Sequence, residues 1–296
     1  MKISDVLKQN KQGISLEFFP PKTTMGKESF LKVVKDLRAY KPLYVSVTYG
    51  SGGTTQDRTL NALNWIRAET DLTVMSHLTC IGATRTSMDA LMREYQARGI
   101  DNILALRGDP PKNVSDFDPA LGEFKYAKDL VAFVKQYHYF SLAVAVYPEG
   151  HLQSPSIEKD MDYTKQKIDA GADFGITQMF FDNRYYYEFM DRAAKAGITI
   201  PILPGIMPII DCKRIKEFAG VCNATLPKDI LDRMEPVTGI AEDMRKLGVD
   251  FAVKQVEDLM KHGVNYVHFY TMNRSDSVSE ILSALGFGGH RTMKAA

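Results

Sequence analysis

The sequence predicts an α/β protein, a (β/α)8 barrel of the TIM type with extra helices before its last strand, and three observations carry that prediction. Short apolar runs alternate with longer segments of helical period. The runs number eight, the count at which a parallel βα sheet closes on itself. Several helical segments end on a glycine just ahead of the next run, the usual helix stop.

In chain order, the strand-like runs are residues 14–19, 44–47, 73–78, 102–106, 142–147, 174–178, 200–203 and 266–270. Gly99, Gly171, Gly197 and Gly263 close the helical segments that precede four of them. Thr86, with Asp89 three residues later, predicts a capping box for the helical pattern 88–98. The stretch 221–259 exceeds one crossover helix and accounts for the extra helices. An open doubly wound sheet shows the same alternation, and the count of eight favours the barrel. With no Pro/Ser/Gly linker or shift in composition, residues 1–296 are expected to form a single domain.

Composition excludes several classes of function. The 296 residues are 45% hydrophobic, 25% charged and 10% aromatic, the averages of a globular chain, not of a disordered or fibrous one. Thirty-seven basic against 36 acidic residues give a net charge of +1, without the basic footprint of a nucleic-acid binder. Charge-free stretches such as 196–210 fall short of a membrane span, and this one holds Pro201, Pro204 and Pro208. Residues 1–11 are polar and have no signal-peptide pattern, so a cytoplasmic protein is expected. Cys80, Cys212 and Cys222 form no CxxC pair and read as reduced thiols. The six histidines show no HxH or HExxH spacing, so no metal is expected.

Barrel enzymes carry their reacting groups at the C-terminal ends of the strands. Polar residues at those ends are Glu17, Thr48, His77, Arg107, Asp109, Tyr147, Glu149, Gln178 and Arg274. Two-residue periodicity puts Glu17 on one face with Ser15 and Phe19, pointing into the barrel. Apolar surroundings would raise its pKa and suit it to donate a proton; a structural ion pair in the interior fits equally well. Arg107-Gly108-Asp109 is either a ligand loop or a loop salt bridge, and His77 is either a ligand contact or a satisfied core histidine. Gly50-Ser51-Gly52-Gly53 matches neither GxGxxG nor a P-loop and reads as a βα loop. The aromatic run 179–187 could stack on a planar heterocycle or pack an outer helix on the barrel.

Seven blocks, in this order, resemble bacterial methylenetetrahydrofolate reductases. They are Ser15-Leu16-Glu17-Phe18-Phe19-Pro20-Pro21-Lys22-Thr23, Tyr44-Val45-Ser46-Val47-Thr48-Tyr49-Gly50, Ser76-His77-Leu78-Thr79-Cys80, Ala105-Leu106-Arg107-Gly108-Asp109, Val144-Ala145-Val146-Tyr147-Pro148-Glu149, Ile176-Thr177-Gln178-Met179-Phe180-Phe181-Asp182 and His268-Phe269-Tyr270-Thr271-Met272-Asn273-Arg274. The resemblance implies a barrel that holds non-covalent FAD and reduces 5,10-methylenetetrahydrofolate to 5-methyltetrahydrofolate by a ping-pong sequence. NADH stands ahead of NADPH as reductant, and a homo-oligomer is implied. Larger family members append a regulatory domain, for which the present length leaves no room.

By the same resemblance, Glu17 matches the general acid that opens the folate's imidazolidine ring, and Asp109 the carboxylate that binds the pterin and tunes the flavin. Gln178 and Arg274 match substrate contacts. Thr48, His77, Arg107, Gly108, Asp109, Tyr126, Ala127, Tyr147, His151, Asp160 and Lys167 match positions that hold FAD. Two departures stand out: Cys212 replaces an aromatic residue that packs on substrate, and Tyr163 replaces an asparagine that touches FAD in some relatives. Other barrels of this outline are proline dehydrogenase, which is also a flavoprotein, a flavin-free lyase or aldolase with a Schiff-base lysine, and a barrel that only binds folate. The opening block and the Arg107-Gly108-Asp109 loop argue against the first, and the blocks offer no strand-end lysine for the second.

Overall fold

The computed structural model describes residues 1–49, 56–110 and 122–288; the glycine-rich segment 50–53 and Pro111 lie outside them. Parallel strands β1 (Gly13–Phe18), β2 (Tyr44–Val47), β3 (Val74–Thr79), β4 (Asn102–Leu106), β5 (Ser141–Val146) and β6 (Phe174–Thr177) pair consecutively. β7 (Ile202–Leu203) pairs with β6, β8 (Gly205–Ile206) pairs with β9 (Tyr266–Tyr270), and β9 returns to β1. The barrel expected from the sequence is therefore the one observed.

The seventh run differs from expectation. Expected at 200–203, it forms as two short pieces on either side of Pro204, which has no N–H to give the ladder. The Pro204 carbonyl still accepts from His268 N–H at 2.9 Å, and Gly205 N–H donates to Thr177 Oγ1 at 2.8 Å. Tyr270 Oη donates to the Thr177 carbonyl at 2.6 Å, bridging β9 to β6. A Cβ on Gly205 would lie 2.5 Å from that carbonyl and 2.7 Å from the Tyr270 hydroxyl, so the junction requires glycine.

Strand alternation divides the interior into two layers. Ile14, Leu16, Phe18, Val45, Val47, Leu78, Ile103, Leu142 and Val144 face outward, where they meet the helices. Tyr44, Met75, Leu104, Ala143, Phe174, Ile176 and Leu203 fill the barrel together with Ile3 and Leu7 of α1 (Ile3–Gln9). This short helix, too brief to show a period in the sequence, is tied across the barrel by Ile3 N–H to Asn102 Oδ1 at 2.7 Å and Ser4 N–H to Ser141 Oγ at 3.1 Å.

The outer helices are α2 (Lys27–Arg38), α3 (Gln56–Glu69), α4 (Arg85–Ala97), α5 (Ala127–Lys135), α6 (Ile157–Asp169) and α7 (Asn183–Lys195). The expected glycine stops are observed, with φ of +65° at Gly99, +119° at Gly171, +72° at Gly197 and +84° at Gly263. The capping box of α4 is displaced from the expected Thr86 and Asp89: Thr84 is the cap, exchanging hydrogen bonds with Ser87. Thr86 sits inside the helix, and Asp89 pairs with Arg93. Serine in place of glutamate at the third position hid the motif.

The extra helices before the last strand are α8 (Cys212–Cys222), α9 (Lys228–Met234) and α10 (Ala241–Lys261), with α11 (Ser275–Ala284) following β9. They enclose a second apolar cluster that includes Met179, Phe181, Met207, Ile209, Cys212, Ile215, Ile230, Met234 and Met244. Gly248 of α10 crosses the chain at Ile209, where a Cβ would lie 1.7 Å from the Ile209 carbonyl oxygen. Gly→Ala in an open helix stabilises by about 1 kcal/mol, whereas overpacking costs about 1–3 kcal/mol. Gly248→Ala is expected to lower the urea unfolding midpoint, and an unchanged or higher midpoint would show that α10 does not press on this backbone.

Candidate active site

Strand termini position the site. Glu17 is the penultimate residue of β1 and points into the barrel with Ser15; Thr48 follows β2, His77 lies within β3, Arg107 follows β4, Tyr147 follows β5 and Gln178 follows β6. The structure gathers Glu17 and His77 into one group and Arg107 and Tyr147 into a second, while Thr48 and Gln178 belong to neither.

The first group is a buried acid between imidazoles. Glu17 is 8% exposed, and its Oε2 lies 3.4 Å from His77 Nε2 and 3.4 Å from His268 Nε2. Burial alone would raise its pKa, but the charge of His77 and the hydrogen bond and charge of His268 together outweigh it, so the carboxyl lies below its usual 4.5. This corrects the upward shift expected from the sequence, where neither imidazole could be seen facing Glu17. Burial also pushes His77 down to about 4, so its ring is neutral at pH 7.

The second group lines a cavity of about 210 Å³ between β4, β5, α5 and α6. Seven residues assigned from the sequence converge on it: Arg107, Tyr126, Ala127, Tyr147, His151, Asp160 and Lys167. Lys167 Nζ reaches into the barrel wall, donating to the Ala145 carbonyl at 2.6 Å and lying 5.5 Å from the centre of the Tyr147 ring. Burial pulls its pKa from 10.5 to about 8, against the opposing pull of Asp160. Asp160 Oδ1 accepts from His151 N–H at 3.2 Å and Ser154 Oγ at 2.7 Å, which fixes the loop after β5. His151 meets Tyr147 edge to face at 4.7 Å, and burial lowers its pKa. Arg107 Nη1 donates to Gln153 Oε1 at 2.6 Å.

Ala127 opens α5, and Asp129 of its first turn accepts at Oδ2 from the Tyr126 N–H at 2.9 Å and the Lys125 N–H at 3.0 Å. Three cations that line the cavity, Arg107, Lys128 and Lys167, outnumber the one acid in its lining, Asp160, and Asp129 in the first turn of α5, so the wall at the start of α5 suits an anion. The donor set therefore fits the diphosphate of a dinucleotide. Tyr163, Lys128, Gln153, Ser154 and Gln166 line the cavity as well and were not assigned from the sequence. Helical spacing from Asp160 and Lys167 already puts Tyr163 on their face of α6, whereas Gln166 adjoins Tyr163, three residues on.

The remaining assigned residues lie around the barrel mouth, outside this cavity. The Asp109 side chain is 84% exposed and 3.7 Å from Arg107 Nη2. Gly108, at φ +84°, turns this loop against Thr79, whose Cβ would be 2.8 Å from an added Cβ. Gln178 Oε1 accepts from Met179 N–H at 2.9 Å, and the Thr48 carbonyl accepts from Thr59 Oγ1 at 2.9 Å. Arg274, exposed at the start of α11, pairs with Asp276 at 2.7 Å. Cys212, expected where a ring packs on substrate, is 8% exposed within the second apolar cluster. The aromatic run divides likewise: Phe180 and Tyr186 stack in the core at 5.6 Å, and Phe181 belongs to the second cluster.

Asn273 is a further residue that sequence reasoning missed. In the left-handed region at φ +55°, it donates from Nδ2 to the Phe19 carbonyl and accepts from Phe19 N–H at Oδ1, both at 2.8 Å. Its side chain thus stands in for the next strand residue and holds the end of β1.

A parallel βα barrel with a buried carboxylate at its strand ends, beside a cation-rimmed cavity, has the layout of a barrel enzyme for a large anionic ligand. The methylenetetrahydrofolate reductase family model matches residues 2–286, and the chain belongs to that family of oxidoreductases. The 5,10-methylenetetrahydrofolate reductase of Salmonella typhimurium is 38% identical over 279 residues, 94% of this chain and 92% of that protein. Methylenetetrahydrofolate reductase (NADH) 1 of Arabidopsis thaliana is 36% identical over 296 residues, and the chain spans 50% of its length. Among solved structures, a Clostridium thermocellum protein that binds two copies of 5-methyl-5,6,7,8-tetrahydrofolic acid shares the fold at a TM-score of 0.68 and 14% identity, over 96% of this chain and 97% of that one. The resemblance read from the seven sequence blocks is borne out. Among the described residues, no helix is long and apolar enough to cross a membrane.

The His77 shift sets a pH dependence. Because its folded-state pKa, about 4, lies below the unfolded 6.5, the unfolded chain binds more protons between these values, and stability falls as pH drops from 6.5 to 4. The full effect is roughly 3 kcal/mol at most. Thermal unfolding midpoints of the protein without added ligand should decline across this window, and His77→Gln should flatten the decline. An equally steep profile in the variant would show that another group titrates.

Proposed function

We propose that this chain reduces 5,10-methylenetetrahydrofolate to 5-methyltetrahydrofolate, with FAD as cofactor and NADH, rather than NADPH, as reductant, in a ping-pong sequence. One observation carries the reading: seven positions that the resemblance matches to FAD, spread from residue 107 to residue 167, line one cation-rimmed cavity. The names of the relatives and the methyltetrahydrofolate bound by the Clostridium protein support the substrate class. A cytoplasmic homo-oligomer belongs to the same reading.

FAD, when bound, supplies the hydride chemistry. Lys167, Arg107, His151 and the start of α5 would hold its diphosphate. Tyr126 and Tyr163, 57% and 41% exposed, offer apolar faces beside it. Thr48, His77, Gly108 and Asp109, at the barrel mouth near Glu17, Gln178 and Arg274, would hold the part of FAD that lies outside this cavity. At that mouth the uncharged Gln178 amide can serve folate and nicotinamide in turn.

The chain's own proton chemistry centres on Glu17. Ionised in the free protein, it must take up a proton before it can act as an acid, and a folate covering the barrel mouth favours this by removing the water that solvates the charge. Glu17 would then give that proton to the methylene-bridge nitrogen, whose C–N bond opens as the nitrogen becomes neutral. Hydride delivery from NADH needs no such donor.

Three measurements test the reading. Protein recovered without colour and unable to bind added FAD would overturn it. FAD affinity should weaken as pH rises above about 8, where Lys167 loses its charge, and Lys167→Met should bind more weakly but without that limb. In anaerobic stopped-flow, Glu17→Gln should leave loss of flavin colour with NADH within about tenfold of wild type, while slowing its return with methylenetetrahydrofolate by at least about 10²-fold. Undiminished folate reduction would remove Glu17 from the acid role and leave Asp109 as the candidate.

A further inference from the structure

The barrel interior holds one polar arrangement that this mechanism leaves unused. His268, on β9, is completely buried beside β1 and in register with Ser15. Its Nδ1 lies 2.8 Å from Ser15 Oγ, and its Nε2 lies 3.4 Å from Glu17 Oε2. A serine hydroxyl that donates to Nδ1 selects the tautomer with the proton on Nε2, and that N–H donates to the carboxylate. His77 Nε2 is equally close to the same oxygen but is buried without an aligned hydrogen bond.

Both imidazoles therefore meet Oε2. Glu17 Oε1 has no partner among the described residues and is not one of the sealed, unpaired buried atoms. The backbone is fixed as well: the Glu17 carbonyl accepts from Thr271 Oγ1 at 2.6 Å and from Thr271 N–H at 3.2 Å. Four titratable groups face the carboxylate: His77 from β3, Tyr44 from β2, and His268 and Tyr270 from β9. Tyr44 stacks on His268 at 6.2 Å and Tyr270 meets it edge-on at 5.4 Å. Burial pushes both phenols up, so they stay uncharged wherever Glu17 titrates.

We propose that His268, oriented by Ser15, is a positioning residue that holds Glu17 by Oε2 and leaves Oε1 as the oxygen that carries the proton to the folate. The inference rests on the reading of Glu17 as the acid. In the transfer, the Oε1–H bond breaks, the bridge nitrogen gains the proton through its lone pair, and the charge left on the carboxylate is met at Oε2 by the His268 N–H. Without Ser15 the imidazole is free to put its proton on Nδ1 and turn a lone pair toward Oε2.

The test compares Ser15→Ala, His268→Ala and His268→Gln, whose amide nitrogen can reach the Nε2 position. Titration of the Glu17 carboxyl carbon by ¹³C NMR in selectively labelled protein is independent of turnover. Its midpoint should lie below 4.5 in wild type, rise in Ser15→Ala and His268→Ala, and return toward wild type in His268→Gln. The folate half-reaction should slow by roughly tenfold to a hundredfold in the first two variants, the scale of a lost orienting partner, with the NADH half-reaction unchanged. If His268→Ala fails to fold, Ser15→Ala against His268→Gln decides. An unmoved midpoint and folate rate in Ser15→Ala, or equal slowing of both half-reactions, would overturn the inference. These results together with a slow Glu17→Gln enzyme would leave the acid reading standing, whereas a fully active Glu17→Gln enzyme would end both.

Discussion

Closure of the barrel between β9 and β1 is the constraint on which the site depends. Glu17 and His268 stand 251 residues apart and meet only because the last strand returns to the first. That return requires the sheet to continue through residues 202–206, where Pro204 interrupts the ladder and Thr177, Gly205 and Tyr270 carry the connection by side-chain hydrogen bonds and close packing. A larger residue at 205 would meet the Thr177 carbonyl before the β6–β9 bridge could form.

Inside the closed barrel, polarity is graded along the axis. Apolar side chains and α1 fill one end, and the carboxylate, imidazoles and hydroxyls of Glu17, His77, His268 and Ser15 form a layer toward the other. Such a layer persists in a dry interior only when its charge is met by donors. His268 donates to it and His77 lies beside it, and for this reason the acid sits below, not above, its ordinary pKa. The cavity between α5 and α6 has the opposite balance, with cations in excess and a lysine weakened by burial.

Much of this was legible in the sequence, because strand runs and glycine stops are local signals. Seven strands lie within a residue or so of their expected positions, and the extra helices before β9 follow from the length of that stretch. The errors have local causes too: Pro204 divides the seventh run, α1 is too short to show a period, and Ser87 substitutes for the acid of a capping box. What could not be read was who faces whom. The His77 and His268 rings that reverse the shift of Glu17 come from distant strands, and Cys212 is buried in the second apolar cluster, not in an open pocket. Tyr163, three residues after Asp160 and four before Lys167, was recoverable from helix geometry alone.

The pairing of the first strand with the last also orders events during synthesis. Each intermediate βα unit can pair with its predecessor as it emerges, but β1 keeps one edge open until β9 has been made. Contacts of such sequence separation close late, since their loop entropy is met only after the rest of the sheet is in place. The acid therefore acquires its hydrogen bond from His268 at the end of folding. A chain interrupted before residue 266 would carry Glu17 on an unpaired edge, a species poised for aggregation and not for chemistry.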